Sequence, residues 1–162
     1  MSTILNTNGA ELEVPSPASA DFVFHIITAE WNPEITHALR DGAAATLRKA
    51  GIREENIRLH SVAGTVELIN AAATIIKRQQ PDGVIIIGCV IRGDTPHFDY
   101  VCMQAAHGAA IINARGETPL TFGVLTVDNI EQARERAGGV LGNKGSEAAC
   151  AALEMANFRI IS

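Results

Sequence analysis

From residue 21 onward, short β-branched apolar runs alternate with longer stretches whose apolar positions recur every three or four residues. That is the pattern of βαβ units around a parallel sheet. The runs predict strands at residues 22–28, 56–62, 83–91 and 120–127, and the third, apolar throughout, reads as a central strand buried on both faces. Asn32 as cap and Pro33 at the first helical position predict a helix with Ile35, Leu39, Ala43 and Leu47 on one face, ended by Gly51. A second helix is expected after Thr65 to about Gln80, stopped by Pro81, and a third after His97 to about Ala114, stopped by Gly116. Asp128 is expected to cap a short helix through Arg136, Gly138 and Gly139 to break it, and an alanine-rich helix to run from about Lys144 to Phe158.

The pattern predicts an α/β fold, a three-layer flavodoxin-like sandwich with a four-stranded parallel sheet flanked by helices on both faces. Its 162 residues suit one domain, read as 21–162, preceded by an N-terminal arm over 1–20. The arm, with Pro15 and Pro17, is expected either to add an edge strand to a neighbouring subunit's sheet or to stay loose. Hydrophobic residues at 47% against aromatics at 4% predict an aliphatic core. A net charge of -5 argues against nucleic-acid and anionic-membrane surfaces, while still allowing a local cationic phosphate site. The longest apolar run, Val84 to Ile91, is far below the roughly 20 residues of a membrane helix. Cys89, Cys102 and Cys150 lack CxxC spacing and read as small buried hydrophobes in a reducing compartment. The first 20 residues lack a basic start and an apolar stretch, so a cytoplasmic location is expected.

In open parallel sheets ligands bind beyond the carboxyl ends of the strands, which selects the loops 29–32, 63–67, 92–97 and the residues after Val127. The third runs Arg92-Gly93-Asp94-Thr95-Pro96-His97 and leads from the central strand into a helix start, where free N–H groups and the helix dipole favour an anion such as phosphate. Gly93 permits close backbone approach, Thr95 offers a hydroxyl and His97 can move protons near neutral pH. A plain turn with a capping threonine and a structural histidine is the alternative. Trp31, the only tryptophan, sits between strand and helix cap, suited to stacking on a planar ring if it does not pack in the core. Glu67 would complement a helix N-terminus or accept hydrogen bonds from a polyol. Arg136 and Lys144 flank the glycine break and would bring positive charge to an acid, unless they are simply solvated. His97 and Asp99 have no third ligand at metal spacing, so no metal is expected. The first βα turn has neither dinucleotide-fingerprint glycines nor a Walker lysine, which disfavours NAD and ATP.

The segment Val90-Ile91-Arg92-Gly93-Asp94-Thr95-Pro96-His97-Phe98-Asp99-Tyr100-Val101 closely resembles the lumazine synthase family. So do Phe122-Gly123-Val124-Leu125-Thr126, the run from Asn129-Ile130-Glu131-Gln132-Ala133 to Arg136-Ala137-Gly138, and Gly142-Asn143-Lys144-Gly145 followed by Glu154-Met155-Ala156-Asn157. The resemblance spans about residues 22–158 and implies a transferase-type condensing enzyme of riboflavin biosynthesis that uses no metal or organic cofactor. Such an enzyme joins 5-amino-6-ribitylaminouracil to 3,4-dihydroxy-2-butanone 4-phosphate, giving 6,7-dimethyl-8-ribityllumazine. By the same resemblance Trp31 stacks on the pyrimidine, and the backbone at Val90 and Ile91 reads the ring edge. Thr65, Val66 and Glu67 hold the ribityl chain, Gly93, Asp94, Thr95 and Arg136 form the phosphate site, and His97 is the acid–base group. Phe122, Arg136 and Lys144 come from a neighbouring subunit, implying a homo-oligomer, a pentamer or an icosahedral capsid of 60 chains.

Two positions depart from the family's pattern. Many members carry Pro-Gly and an aromatic before the glutamate, where this chain has Ala63-Gly64-Thr65-Val66-Glu67, and Asp94 places an acid beside a phosphate site. The rival class is a non-catalytic flavin- or lumazine-binding or shell-forming homologue, which would need neither His97 nor Arg136.

Overall fold

The computed structural model describes residues 12–161. Four parallel strands, β1 (Phe24–Ala29), β2 (Ile57–Val62), β3 (Gly83–Ile91) and β4 (Leu120–Val127), form a sheet of order β2-β1-β3-β4. The helices α1 (Pro33–Lys49), α2 (Glu67–Gln79), α3 (His97–Asn113), α4 (Ile130–Arg136) and α5 (Lys144–Ile161) join and follow them. The expected flavodoxin-like sandwich is therefore the observed one. Chain reversal between β2 and β3, on either side of β1, opens the crevice at the carboxyl edge where such sheets bind ligands.

The period of two along each strand splits the core into two layers. Phe24, Ile26, Ile85 and Ile87 pack against Leu39 and Leu47 of α1 and Leu153 of α5. Ile27, Val84 and Ile86 face the other way, onto Leu68 and Ile76 of α2 and Ile112 of α3. β3 is apolar at every position because both faces are covered, and each fully buried isoleucine contributes on the order of 2 kcal/mol. At Gly145 an added Cβ would run into the backbone of Leu39, so α5 crosses α1 at a distance only glycine allows.

Local departures from the sequence reading have local causes. β1 and β2 begin at Phe24 and Ile57, later than residues 22 and 56. Phe22 is buried as an edge-on partner of Phe24 ahead of the strand, and Asn56 closes a 3₁₀ turn while its amide donates to the Asp21 carbonyl. The cap of α4 is Asn129 rather than Asp128: the Asn129 side chain accepts from the Gln132 N–H, and the Gln132 amide oxygen accepts from the Asp128 N–H. Gly138 and Gly139 do not merely break the chain. They belong to a small antiparallel hairpin, β5 (Ala137–Gly139) with β6 (Gly142–Asn143), in which Gly138 and Gly142 take positive φ. Cys89 and Cys150 are buried, whereas Cys102 is only half-buried.

Residues 12–20 form no strand in this chain and lie along α5. Asn157 donates to the Ser16 carbonyl at 2.9 Å and accepts from the Ala18 N–H at 2.7 Å, and Val14 packs on the α1/α5 layer. Pro15 and Pro17 have no N–H to give to a ladder, which suits this path. The rest of the arm lies outside the described residues. No helix among them is long and apolar enough to cross a membrane.

Candidate active site

All four selected loops follow the carboxyl ends of parallel strands and so lie at one edge of the sheet; three of them carry the candidate residues. The first holds Trp31, 72% exposed despite its size. Its outward position is set by its neighbours: Glu30 N–H donates to Val62 O, and Asn32 adopts the left-handed conformation with φ 58°. Asn32 was expected to cap α1 through its side chain, but that amide instead reaches across the sheet to the Cys89 carbonyl at 2.9 Å, and only the Asn32 carbonyl meets the Ile35 and Thr36 N–H groups. A left-handed non-glycine residue costs about 1–2 kcal/mol, and asparagine is among the types that tolerate it best. Sequence reasoning missed this role, because the acceptor lies on another strand, 57 residues away. Beneath it, burial pushes the Cys89 thiol up to about 11, leaving it protonated and inert.

The second loop meets the first at Gly64. A Cβ there would lie 3.0 Å from the Glu67 carboxylate and 3.6 Å from the Trp31 ring, so indole and carboxylate border one space. Thr65 is buried with its hydroxyl over Gly88 of β3, where a Cβ would approach it to 2.9 Å. Val66 is half-buried and Glu67 is exposed as the first residue of α2. Val90 and Ile91, half-buried, end β3 beside them.

The third loop is solvent-facing from Gly93 to His97. Gly93, Asp94 and Thr95 make no hydrogen bond among the described residues, so their N–H groups remain available ahead of the 17-residue α3. An added Cβ at Gly93 would meet nothing within 4 Å, so the surface above it is open. His97 is the first residue of α3 and is exposed. Arg92, just before the loop, donates through Nε to Asp128 at 3.0 Å and through Nη1 to Asp99 at 3.3 Å, with its guanidinium 4.1 Å from the centre of the Phe98 ring.

Phe122, Arg136 and Lys144 are not brought into this cluster by any hydrogen bond or ion pair among the described residues. Phe122 is exposed on the edge strand β4, paired with Ile86 and five positions short of the Val127 end. The Arg136 guanidinium folds back on α4, donating to Gln132 O at 2.9 Å. Lys144 opens α5 with its Nζ 2.8 and 2.9 Å from the two Glu147 oxygens, both side chains only 15% exposed. Asn143 fixes that start: its amide donates to Ala38 O and its oxygen accepts from the Gly145 and Ser146 N–H groups. α4 is tied to α1 by the paired Arg134–Glu34 hydrogen bonds, which hold the Glu34 carboxyl below the usual range.

A family model described as 6,7-dimethyl-8-ribityllumazine synthase matches residues 21–159, almost the whole described domain. The chain belongs to that family. A 6,7-dimethyl-8-ribityllumazine synthase of Bacteroides fragilis is 51% identical over 135 residues, covering 83% of this chain and 94% of the relative. Similarly named proteins of Phocaeicola vulgatus and Porphyromonas gingivalis are 46% and 48% identical, covering 88% and 90% of this chain and 85% and 90% of their own lengths. Membership brings the family's activity, a transferase-type condensation in riboflavin biosynthesis.

Proposed function

We propose that the chain condenses 5-amino-6-ribitylaminouracil with 3,4-dihydroxy-2-butanone 4-phosphate at the Trp31, Glu67 and His97 edge of the sheet. The observation that carries this is the exposed indole of Trp31 sharing the Gly64 space with Glu67, next to an unbonded loop at the start of α3. The pyrimidine stacks on Trp31 with its edge against the backbone of Val90 and Ile91, and the ribityl hydroxyls lie along Thr65, Val66 and Glu67. Val66 in place of an aromatic leaves that side of the ribityl pocket wider.

The loop N–H groups of Gly93, Asp94 and Thr95 hold the phosphate, with the Asp94 side chain turned to solvent so that only its N–H faces the ligand. The 5-amino group attacks the ketone and water leaves to form an imine; phosphate is eliminated, and the ribitylamino nitrogen closes the ring with loss of a second water. His97 takes and returns the protons of these steps, and positioning of the two reactants supplies most of the remaining rate.

The same reading makes the protein a homo-oligomer, a pentamer or a capsid of 60 chains, in which Phe122, Arg136 and Lys144 complete the site of the adjacent subunit. Their separation from the Trp31 cluster within one chain supports it, as does the exposed apolar row Tyr100, Met103 and Ile111 on α3. Residues 1–20 act as an arm on the 21–162 domain, and the working location is the cytoplasm.

The deciding experiment mixes purified, assembled protein with both substrates and follows lumazine fluorescence against a protein-free blank. Acceleration is expected. A rate equal to the blank would overturn the catalytic reading in favour of a flavin- or lumazine-binding or shell-forming role.

A further inference from the structure

Arg92 is the cation nearest in sequence to the loop that is read as the phosphate site, and a direct contact with phosphate would be its simplest use. Its surroundings oppose that use. Nε is bonded to Asp128 and Nη1 to Asp99, and the guanidinium lies against the Phe98 ring. One positive charge thus already faces two carboxylates.

Each of these contacts joins a different element beside the loop. Asp99 and Phe98 belong to the first turn of α3, immediately after the loop. Asp128 belongs to the turn between β4 and α4, and Arg92 N–H donates to the carbonyl of Val127, the last residue of β4. Residues 93–95 have no other tether among those described, while Arg92 grips both the far side of the loop and the entry to α4. Exposed ion pairs are individually worth little to global stability. Their local effect on an otherwise unbonded loop is larger, because the planar fork and the ring contact fix orientation as well as charge.

We propose that Arg92 is a positioning residue: through Asp99, Phe98 and Asp128 it holds the 93–97 loop and the α4 entry in register, so that the loop N–H groups and His97 meet the phosphate-bearing substrate together. This rests on the loop's being the phosphate site.

The test is steady-state kinetics on assembled protein, with inorganic phosphate as a competing probe. Arg92→Lys keeps the charge but loses the fork and the flat ring contact. Its KM for the phosphate-bearing substrate is expected to rise about tenfold, with kcat changed less than about threefold and the pyrimidine KM unmoved. The inhibition constant of phosphate should rise by the same factor. Asp128→Asn, which removes one grip and leaves Arg92 in place, should raise the same KM by a smaller factor, and the two changes together should do no more than Arg92→Lys alone.

If Arg92 bound phosphate directly, Arg92→Lys would stay near wild type and Asp128→Asn would lower the KM by freeing the cation. Either result overturns the proposal. So does a parallel loss of both KM values and kcat tracking a fall in Tm, which would mark a merely structural role. Failure of phosphate to compete in the wild-type protein would instead overturn the reading of the loop, and the proposal with it.

Discussion

Two histidine neighbourhoods of this sheet are built in opposite ways. Near the start of β1, His25 is wholly buried, its Nδ1 2.9 Å from Nε2 of His60 on β2, its ring stacked on that ring and its own Nε2 without a partner. Burial, and then the charges of His60 and Arg58, lower the His25 pKa to about 4, and burial and Arg58 lower that of His60 as well. At the other end of the sheet, His97 stands in solvent at the head of α3. The buried imidazole is held neutral as part of the packing, and the exposed one is open to a ligand. The contrast teaches that one end of the sheet seals its polar side chains in packing while the other, where the reaction is proposed, leaves them in solvent.

The sharpest way to break that division is His97→Ala. Turnover should fall roughly 10²- to 10⁴-fold, the typical contribution of one acid–base group, while the unfolding free energy moves by no more than about 0.5 kcal/mol. Pyrimidine binding measured by calorimetry should survive, and its loss would contradict the assigned role. The converse change is Ile85→Ala at the centre of β3, where the side chain is fully buried. It should cost about 2–5 kcal/mol in urea unfolding and leave both KM values of the remaining assembled protein near wild type.

Acid pH separates the two regions without any substitution. Because folding lowers the His25 pKa from 6.5 to about 4, the neutral ring's stabilisation is complete above pH 6.5 and is lost as pH falls towards 4. Conversion at 1.36 kcal/mol per unit makes the loss about 3 kcal/mol. His60 adds in the same direction. Urea titrations at pH 7 and 4.5 should show about 2 kcal/mol of this loss, and His25→Leu should flatten it; an unchanged acid limb in the variant would assign the sensitivity elsewhere. The smallest effect is expected at Asp94, whose side chain is exposed. Asp94→Ala should not raise the KM for the phosphate-bearing substrate, and a marked rise would mean that the carboxylate, not its N–H, faces the site.

Much of this was legible in the chain. β3 and β4 were bounded correctly because their apolar runs are long and end at charged or proline-containing turns, and α1 announced itself through Asn32-Pro33. The position of Trp31 between strand and helix suggested an outward ring over core packing, and the ring is exposed. The amide of Asn32 reaching Cys89 was not legible, since its partner lies 57 residues away on another strand. The same is true of Arg92, whose acceptors are split between α3 and the turn before α4, and of the hairpin at Ala137–Gly139, where glycines are as consistent with a break as with a turn.

By itself the sequence determined the α/β class, the order of the elements, the aliphatic double-faced core and the family, because periodicity, capping residues and contiguous motifs are local properties of the chain. Only the tertiary structure decided that Trp31 and Glu67 share the space around Gly64, that Arg92 is already committed to two carboxylates, and that His25 is sealed against His60. Those facts depend on which loops the sheet order brings together and on which side chains burial removes from water.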